Sequence, residues 1–280
     1  MNIINYLLLM TSFIQNILHR IVPKNCYHKR YFTENVITES IITNSTSIKL
    51  DTYSNNDYLK DKKLISISPG GFKGFYLLGT LTYIKENYDL SNYIFSGASA
   101  GAWCSLIMSM NKKFNVLDFI DDSITNSISI LDLEKKIKNK LLNNYKETDF
   151  DLKRLYIGVT SIQKLQFQTN IYSDFKNLED AIECCIASSH VPFITGGLFN
   201  NYNNKINFDG GFARYPYVGQ IIPTLHIHPN IWMNERAKLF FIYDTTLLSN
   251  EKYNYKKLYM EGYNDAEKNK DFLSKTFNKN

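Results

Sequence analysis

Two short apolar runs, each stopped by glycine and each followed by a helical pattern, constrain this chain more than any other feature. Leu64-Ile65-Ser66-Ile67-Ser68 reads as a strand that ends at Pro69-Gly70-Gly71. Beyond Gly74, the run Phe75–Glu86 places Phe75, Leu78 and Leu81 at helical spacing. A second strand, Tyr93–Ser96, enters Gly97-Ala98-Ser99-Ala100-Gly101, and an apolar helix continues to about Met110. Two strand-turn-helix units in succession point to parallel strands covered by helices, because a parallel neighbour needs a crossover long enough to hold a helix. The expected class is therefore α/β: one domain with a central, mostly parallel sheet flanked by helices.

The rest of the chain fits that frame. Helical patterns span Val116–Asn126 and Leu131–Leu142, and strands are expected at Arg154–Ser161 and Leu165–Tyr172. Leu178–Ala187 reads as a helix with Asn177 at its cap. Lys205–Phe208 is a short strand ending on Asp209-Gly210-Gly211; a strand at Leu239–Tyr243 and a charged, Tyr-rich helix from about Glu251 to Phe272 follow. With 280 residues, 44% hydrophobic, there is material for one large core and no case for extended disorder. The organisation read from this is a lead-in over 1–60, an α/β domain over 61–245 and a C-terminal helix over 246–280.

The lead-in carries Ile4, Leu7, Leu8, Ile14 and Leu18 at helical spacing, interrupted too early to span a bilayer. With Arg20, Lys24, Lys29 and Arg30 behind it, this stripe either packs on the body or lies in a membrane interface. A strand is conceivable near Ser47–Leu50. The net charge of +5 is spread over scattered lysines and gives no nucleic-acid footprint. Cys26, Cys104, Cys184 and Cys185 form no C-x-x-C pair and have no histidine at ligand spacing. Reduced thiols, a cytoplasmic protein with at most peripheral membrane association, and no metal are expected.

Three segments carry chemistry. Gly97-Ala98-Ser99-Ala100-Gly101 matches the G-x-S-x-G nucleophile elbow, a sharp strand-to-helix turn that lifts a serine hydroxyl clear of the sheet. Pro69-Gly70-Gly71-Phe72-Lys73-Gly74 occupies the equivalent turn of the preceding unit. Adjacent glycines let backbone N–H groups converge, as an oxyanion hole needs. A phosphate loop is disfavoured, since Lys73 is not followed by Ser or Thr and a dinucleotide fingerprint would need glycine where Pro69 stands. Asp209-Gly210-Gly211 supplies a carboxylate after a strand, although Asp-Gly is equally a hairpin turn.

In this order the three segments resemble the patatin-like phospholipase family, which has a G-G-x-[KR]-G loop, a G-x-S-x-G elbow and a D-G-[GA] motif. The resemblance covers about residues 62–218, and Ala187-Ser188-Ser189-His190-Val191-Pro192-Phe193 is similar to a small-residue segment before the family's D-G-G. It implies a lipid acyl hydrolase without cofactor, with Ser99 as nucleophile and Asp209 as its base. By the same resemblance Gly70, Gly71, Phe72, Lys73 and Gly74 form the oxyanion loop, Gly97 and Gly101 shape the elbow, and Gly210 and Gly211 follow the base. The substrate would be a lipid at a membrane or lipid-droplet surface, with no obligate protein partner. Pro69 departs from the glycine found in many members. Two other readings stay open: an α/β-hydrolase triad using His226 or His228, and a lipid-binding protein of the same fold without turnover.

Overall fold

The computed structural model describes residues 57–112, 114–127, 129–163, 166–212, 218, 221–232 and 254–277, all within the unit Ser45–Asn280. The helical stripe of residues 4–18 and the strands expected at 47–50 and 239–243 lie outside the described residues.

Among the described residues seven strands form one mixed sheet in the order β5-β6-β3-β2-β1-β7, with β4 on the other edge of β3. The strands are β1 (Lys63–Ile67), β2 (Tyr93–Ala98), β3 (Leu155–Gln163), β4 (Gln166–Tyr172), β5 (Asn200–Tyr202), β6 (Lys205–Phe208) and β7 (Pro223–Ile227). β7, β1, β2 and β3 are parallel; the β3–β4, β3–β6 and β5–β6 pairs are antiparallel. The expected mostly parallel sheet is thus corrected to a mixed one. β3–β4 and β5–β6 are joined by connections too short for a crossover, and strands so joined can only run back on themselves.

β1 and β2 are buried almost throughout, as strands covered on both faces must be. Side-chain alternation divides the core. Ile65, Ile67, Tyr93, Phe95, Leu155, Ile157 and Val159 join the large helix-covered cluster. Leu64, Ile94, Tyr156 and Ile171 face the other way, into a smaller cluster with Leu59 and Val218.

The helices are α1 (Gly74–Asn87), α2 (Ala100–Met108), α3 (Val116–Phe119), α4 (Asp122–Thr125), α5 (Ile130–Asn144), α6 (Leu178–Ser188), α7 (Tyr255–Lys268) and α8 (Lys270–Phe277). Asn177 caps α6 as its side chain accepts from the Asp180 amide. The helix expected over 116–126 is two short ones, because Asp121 accepts from the Ser123 and Ile124 amides and starts a second helix. The C-terminal helix is likewise two, ending and restarting at Asn269. α7 lies directly on α1: a Cβ on Gly79 would stand 1.9 Å from the Tyr259 carbonyl oxygen, and one on Gly262 would stand 2.0 Å from that of Tyr76. Two glycines thus let the backbones meet where any side chain would hold them apart.

Candidate active site

β2 runs along one edge of β3, pairing Phe95–Ala98 with Leu155–Gly158. It then leaves the sheet, because the chain turns at Ser99 into α2. β6 takes up the same edge from the opposite direction, pairing Phe208 with Thr160. The two strands therefore meet end to end, Ser99 closing one and Asp209 following the other.

The turn at Ser99 has the geometry a nucleophile elbow demands. Ser99 sits at φ 54°, ψ −128°, a conformation that L-residues rarely adopt and that costs about 1–3 kcal/mol. Its neighbours leave no room for anything but glycine. A Cβ on Gly97 would stand 2.0 Å from the Gly101 carbonyl oxygen, and one on Gly101 would stand 2.4 Å from that of Ile67. The glycines bring the start of α2 down onto the end of β1, so that the first turn of the helix, with its N–H groups, lies at Ser99.

The Gly70–Gly74 loop packs against this turn. Gly71 is at φ 52° and opens a 3-10 turn over Gly71–Lys73. A Cβ on Gly74 would stand 2.8 Å from that of Ala100. The Lys73 amide donates to the Gly70 carbonyl, and the Gly74 amide to those of Gly71 and Phe72. These two amides are consumed by the turn. The Gly70 and Gly71 amides have no hydrogen bond among the described residues and are the donors the loop has to offer.

Asp209 is half-buried. Its carboxylate accepts from the Gly211 amide at 2.7 Å, and the Ser99 side chain lies near enough to favour its ionised form. Burial pushes the carboxyl up to about 6, while Ser99 and the Gly211 amide oppose that rise. The preceding residue, Phe208, is buried, and the rings of His190 and Phe199 lie 6.4 and 6.2 Å from the Phe208 ring. Gly210 is forced: its Cβ would be 2.2 Å from the Gly158 carbonyl oxygen. A Cβ on Gly211 would touch Pro69 at 3.0 Å, so the D-G-G turn also rests on the glycine loop.

What the motifs did not reveal is the segment that clamps both halves. Ser188 Oγ accepts from the Ser99 amide at 2.8 Å and donates to the Gly158 carbonyl at 2.7 Å, in the gap where β2 leaves β3. Two residues on, the His190 carbonyl accepts from the Asp209 amide at 2.7 Å. The small-residue run before Pro192 was the available signal.

The two histidines belong to β7 and the residue after it. His226, on β7, is paired through Nδ1 with Ser66 Oγ at 3.2 Å, and its ring stacks on His228 at 5.7 Å. Burial and the neighbouring His228 push His226 down to about 4. Cys104, Cys184 and Cys185 are core thiols. Among the described residues no three of His, Cys, Asp and Glu are grouped to hold a metal, and no helix is long and apolar enough to cross a membrane.

A buried serine hydroxyl, held by a strained backbone against a carboxylate of raised proton affinity and near two uncommitted backbone amides, can attack an electrophilic carbonyl. No protein-family model matches the chain, and no curated protein matches it.

Proposed function

We propose that this protein is a serine ester hydrolase of the patatin-like type, acting on the acyl esters of lipids through Ser99 and Asp209. The observation that carries the reading is the Ser99 hydroxyl, at the strained elbow, placed close enough to the Asp209 carboxylate to act on its proton affinity. In the reaction, Asp209 takes the Ser99 proton as Oγ attacks the ester carbonyl. The tetrahedral oxyanion is received by the Gly70 and Gly71 amides and the first turn of α2. Collapse expels the alcohol, which leaves with the proton from Asp209, and an acyl-serine remains. Water, deprotonated by Asp209, then releases the fatty acid. In this reading no imidazole is needed, since the carboxylate beside Ser99 takes the proton itself.

The lipid part of the reading is supported by the loop between the His190 carbonyl and β5. Phe193, Leu198 and Phe199 are 54%, 43% and 51% exposed, within a few residues of a segment bonded to both catalytic groups. Large apolar side chains beside a site, left in water, are what an enzyme meeting aggregated substrate presents.

A chromogenic short-chain ester tests the chemistry. Ser99→Ala and Asp209→Asn should each lower kcat by about 10²–10⁴-fold, the range of a lost general base or more. The double variant should be little worse than either, since the two act as one unit. An Asp209→Asn protein with more than about a tenth of the parent rate would remove the direct-base role. The lipid assignment is tested separately with Phe193→Ser/Phe199→Ser. Each ring buried in lipid is worth on the order of 1.5–3 kcal/mol, so hydrolysis of phosphatidylcholine vesicles should fall at least tenfold. The loss should be confined to aggregated substrate; an equal loss on the soluble ester would make the loop part of the fold.

A further inference from the structure

One buried acid has no part in this scheme. α5 turns Leu133 and Leu141 into the core with Ile130 and Ile137 beside them, and Glu134 shares that face at 5% exposure. Its Oε2 has no hydrogen-bond partner among the described residues. An ionised carboxylate so placed is costly, whereas a neutral acid leaves only a carbonyl oxygen unsatisfied.

The polar group beside it is the hydroxyl of Ser189, the middle residue of the clamp. That hydroxyl accepts from Trp103 Nε1 at 2.9 Å and donates its one proton to the Cys185 carbonyl at 2.7 Å. One lone pair is left, and a lone pair only accepts. Glu134 can therefore join this network only by donating, as the neutral acid. As a carboxylate it would have to draw the Ser189 proton away from Cys185.

The charges on neighbouring elements do not offset a carboxylate here. Lys138 on α5 is paired with Glu179 and Glu183 of α6, and Lys140 with Asp121. Facing Glu134 are the Cys185 thiol, held neutral by burial, and Asp209. Burial pushes Glu134 up to about 8, and the charge of Asp209 acts in the same direction against the opposing Ser189 hydroxyl.

We propose that Glu134 is a positioning residue: as a neutral acid it donates to Ser189 and fixes the segment whose neighbours hold the Ser99 and Asp209 amides. The effect on rate rests on the hydrolase reading; the proton on Glu134 does not. Ionisation removes the donor and sets a second negative charge near Asp209. The dyad alone gives a rate that rises with pH and stays up. With Glu134, it declines again with a midpoint near 8.

The chain has two tryptophans, Trp103 and Trp232, so a Trp232→Phe background leaves one indole N–H resonance. In ¹H–¹⁵N spectra the Trp103 signal should titrate near pH 8, and should stay flat in Glu134→Gln, which donates but does not ionise. Glu134→Leu should lose about ten- to a hundredfold in ester kcat, the effect of a small misplacement of catalytic groups, with KM little changed. Glu134→Gln should recover most of that loss and lack the alkaline decline. A Trp103 signal that is flat in the parent, or titrates alike in Glu134→Gln, overturns the proposal. So does a Gln variant as slow as Leu with the decline intact. Absence of Ser99-dependent turnover in the parent would fell the hydrolase reading instead, and the indole titration would still decide the state of Glu134.

Discussion

A carboxylate can deprotonate a serine only if its own proton affinity is lifted, and at Asp209 the lift comes from burial. The same lift has a thermodynamic consequence. The folded carboxyl titrates at about 6 and the ordinary one at 3.8. Between those values the folded state keeps a proton that the unfolded state gives up, so stability falls as pH rises through that window. Above pH 6 the full cost is present, up to about 3 kcal/mol before solvent screening. Asp209→Asn should therefore unfold at higher urea than the parent at pH 7.5, with the gap closing at pH 4. An Asn variant of equal or lower stability at pH 7.5 would mean that burial does not set the carboxyl. In parallel, kcat/KM of the parent should show an acid limb near pH 6, the base being active only when ionised.

At the scale of elements, two devices bring the site together: glycine contacts between backbones, and the end-to-end meeting of β2 and β6 along β3. The glycine contacts are open to measurement. Gly262→Ala puts a methyl 2.0 Å from the Tyr76 carbonyl oxygen, and α7 must retreat from α1. Overpacking of this kind costs on the order of 1–3 kcal/mol or more, to be read as a lower urea midpoint. No change would show that α7 is held by its aromatic face alone, where Tyr255 stacks on Phe75 at 4.5 Å. The two strand-turn-helix units were legible in the sequence because their signals are local: an apolar run, a glycine stop, then helical periodicity. The second half of the sheet was not. Which edge β6 pairs with depends on β2 leaving β3 at Gly158, and no pattern within Lys205–Phe208 records that. The break at Asp121 was legible in principle, since an aspartate ahead of Asp122-Ser123 is a cap signal inside what periodicity alone reads as one helix.

Across the whole molecule, the candidate site gathers residues from four stretches of chain: the glycine loop after β1, the elbow after β2, the clamp at the end of α6 and the turn after β6. Three of these carried motifs and were found as candidates. The clamp shows in the sequence only as the small-residue run Ala187–Phe193, without roles, because Ser188 and Ser189 are ordinary residues whose roles come from what the fold sets against them. Glu134 left a trace, a lone charge on the apolar face of an amphipathic helix, but its neighbours at Ser189 and Asp209 come from remote sequence. What unites these stretches is a claim about one hydroxyl. Treatment with a fluorophosphonate, followed by peptide mass spectrometry, tests it most directly. One adduct is expected, on Ser99, forming about 10²–10⁴-fold more slowly in Asp209→Asn. An adduct on another residue, or labelling of Ser99 at the parent rate without the Asp209 carboxylate, would contradict it.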